Sequence, residues 1–307
     1  MSNPTKKDPP QQVKDSPDQK GWVMPPRQAQ ALASALYLVA TPIGNLGDIS
    51  FRALDVLAAA DVVYCEDTRH SKHLLSYFGL HKKLQAYHDH SDEGVRAQIV
   101  GRIADGQSVA LISDAGMPLI SDPGYKLVCD VRAAGLAVIS VPGANAPLAA
   151  LQVSGLPSDR FCFLGFLPSK DGARRAVLQE WARVPATLIA FETAPRLSAS
   201  LKAIHDVLGD RDVAVVRELT KAYEEVRCDK VSVLIDDYEA EGRPKGEIVL
   251  VIGPPLVQVL SDDDIEAQLL EALQTMRVKD AAAHVAAQTG RPKSELYDWA
   301  VSLKDGA

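Results

Sequence analysis

Three segments concentrate the residue types from which a small-molecule site is built. The longest, Ser113 to Gly124, reads SDAGMPLISDPG. Its two Gly, two Pro, two Asp and two Ser permit backbone geometry closed to bulkier residues and leave amides and carbonyls open to a ligand. An apolar run, Val109 to Ile112, precedes it, and a helical pattern, Tyr125 to Ala134, follows. The segment therefore reads as the loop at the carboxyl end of a buried strand, where open α/β sheets hold ligands. A tight surface turn is the bland alternative, but long loops in compact domains tend to be functional.

The second segment, Thr41 to Asp48 (TPIGNLGD), also follows a strand and opens a helix. Glu66 or Asp67 stands about 20 residues further on, where a dinucleotide fold places its ribose-binding acid. Yet the loop lacks the first Gly of G-x-G-x-x-G, and Pro42 removes an amide that a pyrophosphate would use. It suits a ligand without phosphate, held mainly by carbonyls and van der Waals contact, and NAD is demoted.

The third segment is Glu66-Asp67-Thr68-Arg69-His70-Ser71-Lys72-His73. His70 and His73 are one helical turn apart, a metal-ligand spacing, but a zinc site needs a third and fourth ligand. His88-Asp89-His90 would alternate on an extended segment and closes no such constellation, so no metal is expected. As a polar cluster at a strand end, the segment suits a polar substrate, with Arg69 and Lys72 placed to meet phosphates.

In the second half, Phe191-Glu192-Thr193-Ala194-Pro195-Arg196 and Arg217-Glu218-Leu219-Thr220-Lys221 each end a strand with a carboxylate and a guanidinium. Substrate contact competes there with a structural ion-pair network joining the two strand ends. Lys170, Arg174 and Arg175 add a basic group or a solvated helix start. No Gly-x-Ser-x-Gly, Walker or His-Glu-x-x-His motif is present, so hydrolase and nucleoside-triphosphatase readings have no foothold.

The elements that must position these groups follow a strand–helix rhythm. Strands are expected at 36–40, 61–65, 83–87, 108–112 and 136–141. Helices fall between them, the first capped by Ser50 and carrying Phe51, Leu54, Leu57 and Ala58 on one stripe, the second running through Leu74, Leu75 and Phe78 to Gly79. This alternation implies an α/β fold whose first sheet is mainly parallel and covered on both faces. A second α/β domain has strands at 161–166, 187–191, 213–217 and 247–252, helices at 174–183 and 197–208, and a further strand within 224–234. Three amphipathic helices, 262–275, 279–288 and 294–303, end the chain, and Thr289-Gly290-Arg291-Pro292 resembles a helix-turn-helix connection. The expected divisions are a disordered tail over 1–34, α/β domains over 35–155 and 156–255, and a small helical, helix-turn-helix-like domain over 261–307.

The totals set limits. A net charge of −7 over 307 residues argues against a protein that coats nucleic acid, though not against a local basic patch. Within 261–307, five Lys/Arg face nine Asp/Glu, which favours a packing or RNA-docking bundle over one that reads an operator. Cys65, Cys129, Cys162 and Cys228 have no redox or ligand spacing and read as reduced, mostly buried thiols of a cytoplasmic protein. No apolar run approaches the ~18 residues of a membrane span.

Taken in order, LYLVATPIGNLGDIS, CEDTRHSKHLLSYFG, LISDAGMPLISDPG, VPGANAPLAAL, FLGFLP, FETAPRL, RELTKAYEEV and KGEIVLVIG resemble the tetrapyrrole-methylase superfamily, and within it the branch that methylates small-subunit ribosomal RNA. The resemblance covers about residues 35–255 and the three-helix tail. It implies S-adenosyl-L-methionine in the cleft between two α/β domains, a homodimer, and 2'-O-methylation of a decoding-centre cytidine of 16S rRNA in the small ribosomal subunit. By position it assigns the cofactor to Pro42, to Asp114, Ala115, Gly116, Met117, Pro118 and Ile120, and to Gly143, Ala144 and Ala146. Substrate contacts fall to Glu66, Asp67, Arg69, Arg196 and Arg217. Glu192 and Lys221 are the catalytic candidates for a reaction that needs positioning and a stabilised alkoxide rather than a metal, with Asp114 a third. Two departures stand out: Met117 replaces the usual Thr, and FETAPRL lacks the family's His. A methylase of a small tetrapyrrole precursor is the alternative of the same fold, and an RNA-docking module without catalysis is the alternative of another class.

Overall fold

The computed structural model describes residues 31–88, 93–255 and 262–305. Residues 1–30 of the expected tail lie outside this range, as do Asp89 and His90. Residues 31–34, assigned to the tail from sequence, are docked instead. Leu32 packs against the core, Ser34 donates to the Ile103 carbonyl, and the Tyr37 hydroxyl donates to the Ala33 carbonyl at 3.0 Å. Over the described residues the chain forms two compact units. The first is Met1–Ala149 with Leu219–Tyr223, and the second is Ala150–Glu218 with Glu224–Ala307.

The first unit is built on five parallel strands, β1 (Ala35–Val39), β2 (Val62–Cys65), β3 (Leu84–Ala86), β4 (Ser108–Ile112) and β5 (Val138–Val141), in the order β3-β2-β4-β1-β5. Its helices are α1 (Phe51–Ala59), α2 (Thr68–Tyr77), α3 (Glu93–Ala104), α4 (Tyr125–Ala133) and the start of α5 (Ala146–Ser154). Alternate strand residues serve opposite faces, as the two-residue period requires. Tyr37, Val39, Val63, Cys65, Ala110 and Ile112 pack with α1 and α2 on one face. Leu36, Val62, Tyr64, Val109 and Leu111 pack with α3 and α4 on the other. The Ser50 hydroxyl caps α1 by accepting from the Ala53 amide at 3.1 Å, as expected. Of the expected stripe Leu57 is buried, but Phe51 is exposed, and Ala53 and Val56 share the buried face instead.

The second sheet is mixed. Its strands are β6 (Phe161–Phe166), β7 (Thr187–Thr193), β8 (Asp212–Arg217), β9 (Glu225–Lys230) and β10 (Glu247–Ile252), ordered β6-β7-β10-β8-β9. Only β6 and β7 pair in parallel. Helices α6 (Asp171–Trp181), α7 (Leu197–Leu208) and α8 (Val231–Glu241) share one core with it. The strand expected within 224–234 stops at Lys230, and α8 takes over there. Val231, Leu234 and Tyr238, spaced three and four apart, are its buried face. The three terminal helices, α9 (Asp262–Leu273), α10 (Val278–Thr289) and α11 (Lys293–Asp305), enclose a core of their own around Leu269, Val285 and Leu296. All four cysteines are free, but Cys129 and Cys228 are exposed rather than buried.

Candidate functional site

Strands β1 and β4 lie side by side at the centre of the first sheet, and the chain leaves them toward opposite faces. It leaves β1 through α1 and β4 through α4. Such a divergence opens a crevice at the carboxyl ends of the strands. Here the two loops are tied across it by a pair of backbone hydrogen bonds. The Thr41 amide donates to the Gly116 carbonyl at 2.9 Å, and the Gly116 amide donates to the Thr41 carbonyl at 3.1 Å. Thr41 is buried, and its hydroxyl donates to the Ser113 carbonyl at 3.2 Å.

A third loop closes on the same point. A Cβ added at Gly116, whose φ is +82°, would stand 3.2 Å from Ile43 Cγ2 and 3.7 Å from the Ala144 carbonyl oxygen. One added at Gly143 would come within 2.9 Å of Ala40 Cβ. Only glycine permits this approach of three backbones. Pro42, the Asp114–Ile120 stretch and Gly143–Ala146 are therefore gathered into one cradle within the first unit. Leu119 (φ +73°) and Ser121 (φ +65°) hold left-handed backbone in the central loop, at a cost of about 1–2 kcal/mol each. Strain of this kind collects where geometry serves a ligand.

Side chains complete the cradle. The Asn145 amide nitrogen lies 3.3 Å from Met117 Sδ, and Asn145 Oδ1 accepts from the Leu148 amide at 2.9 Å. Met117 thus acts as a soft acceptor inside the cradle. Asp114 Oδ1 accepts from the Asp67 amide at 3.1 Å, which ties the central loop to the polar segment after β2. Asp67 itself caps α2, accepting from the Arg69 and His70 amides at 2.7 and 3.4 Å. Those amides hold its carboxyl below the usual range.

Asp122, in the motif but not singled out from sequence, is strongly perturbed. Burial pushes its pKa up to about 7, with the charges of Glu66 and Asp114 adding to the rise. Three carboxyls thus share one polar, partly dry region at the mouth of the sheet. Among the described residues no group of three or more His, Cys, Asp or Glu is arranged to hold a metal ion.

The second-half candidates separate. Lys221 belongs with the first unit. A Cβ at Gly44 would come 2.6 Å from Lys221 Cγ and 3.1 Å from Thr220 Oγ1, so the lysine stem lies on the first loop. Glu218 (φ +50°) and Thr220 (φ +65°) bend the backbone that delivers it. Glu192, Arg196 and Arg217 lie in the second unit. The Glu192 carboxylate is wholly buried and engaged, with Arg196 Nε at 3.0 Å, the Thr193 amide at 2.7 Å and the Ser200 hydroxyl as its partners. Arg196 also donates to the Leu167 carbonyl. Arg217 pairs with Glu225 at 3.0 Å, and Glu218 accepts from the Glu247 amide at 2.9 Å. Of the two readings weighed for these strand ends, the structure shows ion pairing at each, Glu192 with Arg196 and Arg217 with Glu225.

Comparison with known proteins follows the same outline. The family described as Tetrapyrrole (Corrin/Porphyrin) Methylases matches residues 35–235. The family described as RsmI C-terminal HTH domain matches residues 259–304. The chain is 52% identical over 276 residues to ribosomal RNA small subunit methyltransferase I of Erythrobacter litoralis, covering 90% of this chain and 98% of that one. It is 49% identical over 278 residues to the protein of the same name from Mesorhizobium japonicum (90% and 95% covered), and 44% identical over 272 residues to that of Escherichia coli O157:H7 (87% and 94%). Among solved structures, diphthine synthase superposes with a TM-score of 0.56 at 19% identity, covering 71% of this chain and 90% of that one. A cobalt precorrin-4 methyltransferase superposes with a TM-score of 0.52 at 19% identity, covering 72% and 95%. These two likenesses establish the fold.

Proposed function

We propose, from the premise that the chain belongs to the tetrapyrrole methylase family and groups there with the ribosomal RNA small subunit methyltransferase I proteins, that it methylates the ribose 2'-oxygen of a decoding-centre cytidine in 16S rRNA. S-adenosyl-L-methionine supplies the methyl group. The observation that carries the assignment within the molecule is the three-loop cradle around Gly116.

The residues present fit that cofactor. The cradle is lined by backbone and small side chains that a cofactor approaches closely. It offers no glycine-rich phosphate turn, as a phosphate-free ligand allows. The carboxyls of Glu66, Asp114 and Asp122 oppose the positive charge that such a cofactor carries. Transfer is largely a matter of holding donor and acceptor in line, and the paired backbone bonds between Thr41 and Gly116 fix the loops that do so. A ribose hydroxyl is a weak nucleophile whose proton must leave as the new bond forms. Asp122, titrating near neutrality, is matched to accept it. Lys221, on the first loop, is the cation that steadies the developing alkoxide. Glu192 is a positioning residue of the second unit.

The helices α9–α11, which match a domain of the rRNA methyltransferases, favour an RNA substrate over a free tetrapyrrole. Assembly as a homodimer in the cytoplasm belongs to the same proposal. Exposed Phe161 and Phe166 at the ends of edge strand β6 supply apolar surface for such an assembly. No helix among the described residues is long and apolar enough to cross a membrane. The test is incubation with methyl-labelled S-adenosyl-L-methionine and 30S subunits that lack the modification. Label is expected in a 2'-O-methylated cytidine. Label appearing only on a corrin or porphyrin precursor would replace this reading.

A further inference from the structure

A groove runs along the edge of the first sheet, between α2 and the segment that enters β3. Its volume is about 510 Å³, and its polar lining is Thr68, Arg69, Lys72, Ser76, His81 and Lys82. Three leucines complete it, and none of its lining residues is acidic. In a chain of net charge −7, this gathering of cations departs sharply from the average surface. The Lys82 ammonium is held in place by donating to the Ala60 carbonyl at 2.8 Å. The Arg69 side chain is 93% exposed and reaches Asp67 only at 4.0 Å.

We infer that this groove holds the sugar–phosphate backbone of single-stranded RNA flanking the target nucleotide. The inference rests on the reading that RNA is the substrate, and it gives that substrate a second point of attachment. Basic side chains that follow a backbone bind single strands through their phosphates, largely without reading sequence. The ten residues of α2 span about 15 Å at 1.5 Å per residue, room for several nucleotides. Thr68 and Ser76 add hydroxyl donors for phosphate oxygens. The apolar part of the lining suits ribose carbons rather than a free phosphate ion.

The test uses the full chain, a labelled single-stranded RNA covering the target cytidine with its flanks, and 30S subunits. Affinity is measured across a series of salt concentrations. The double variant Arg69→Ala, Lys72→Ala is expected to weaken RNA binding about tenfold at low salt and to reduce the salt slope by about 1.4, at roughly 0.7 for each single-strand phosphate no longer neutralised. The charge-conserving pair Arg69→Lys, Lys72→Arg should restore the slope. Arg132→Ala, which removes an exposed cation from α4 on the opposite face of the sheet, controls for net charge. Retained S-adenosyl-L-methionine affinity in each variant reports an intact fold. An unchanged slope in the double variant, or an equal loss in Arg132→Ala, overturns the groove while leaving the methyltransferase reading intact. Weakened binding to 30S subunits with unchanged binding to naked RNA overturns it in favour of an acidic protein surface. Wild-type protein that engages neither RNA nor subunits overturns the underlying reading and the groove with it.

Discussion

Asp122 and Glu192 show how environment, rather than residue type, assigns a carboxylate its role. Asp122 titrates at about 7, against a usual value of 3.8, because burial and two neighbouring acids disfavour its charge. The folded state therefore holds this proton between about pH 4 and 7, where the unfolded chain has released it. The resulting contribution to stability is fully present below about pH 4 and is lost progressively as pH rises from there through 7. With allowance for partial exposure, the ionised residue costs about 2 kcal/mol at pH 8. Asp122→Asn should accordingly melt about 5 °C above wild type at pH 8 and near wild type only at about pH 4 or below. Equal melting temperatures at both pH values would contradict the perturbed acid. Glu192 is the opposite case, a buried acid whose charge is met by a guanidinium, a hydroxyl and an amide. Removing it strands Arg196 and Ser200, so Glu192→Ala should lose about 3 kcal/mol in denaturant titration. A variant of unaltered stability that has lost all turnover would return Glu192 to the catalytic list.

At the scale of elements, the cradle depends on three loops that approach closely enough to exclude a side chain at Gly116. Gly116→Ala would place a methyl group 3.2 Å from Ile43 Cγ2 at a φ of +82°. The backbone strain alone is about 1–2 kcal/mol, and relief would come from parting the loops. Calorimetric titration of S-adenosyl-L-methionine should therefore show affinity at least about tenfold weaker than wild type, and unchanged affinity would remove Gly116 from the cradle. Most element boundaries were legible in sequence because hydrophobic period and capping are local signals. Ser50 marks the start of α1, and α7 begins and ends where the pattern from Leu197 to Leu208 does. Helix α8 was hidden by the β-branched residues of its first turn, which read as a continuation of β9. The buried face of α1 was read only in part, at Leu57, since Phe51 is a better core residue than Ala53 on type alone. The sheet surface decided between them.

For the molecule as a whole, the chain's own pattern determined the α/β class, the two sheets, the helical tail, the family and the loops that converge on Gly116. Each rests on residues adjacent in sequence: alternating apolar strands, glycine and proline in the loops, and motifs in a fixed order. Only the tertiary structure decided that the first and central loops are joined through Thr41 and Gly116, although 75 residues separate them. It likewise decided that Lys221, carried by the second half of the chain, belongs with the first unit, and that Arg69, Lys72, His81 and Lys82 line one groove. Desolvation, charge pairing and close backbone approach are properties of neighbours in space. A sequence names the groups that can take part in them, and the fold chooses which groups meet.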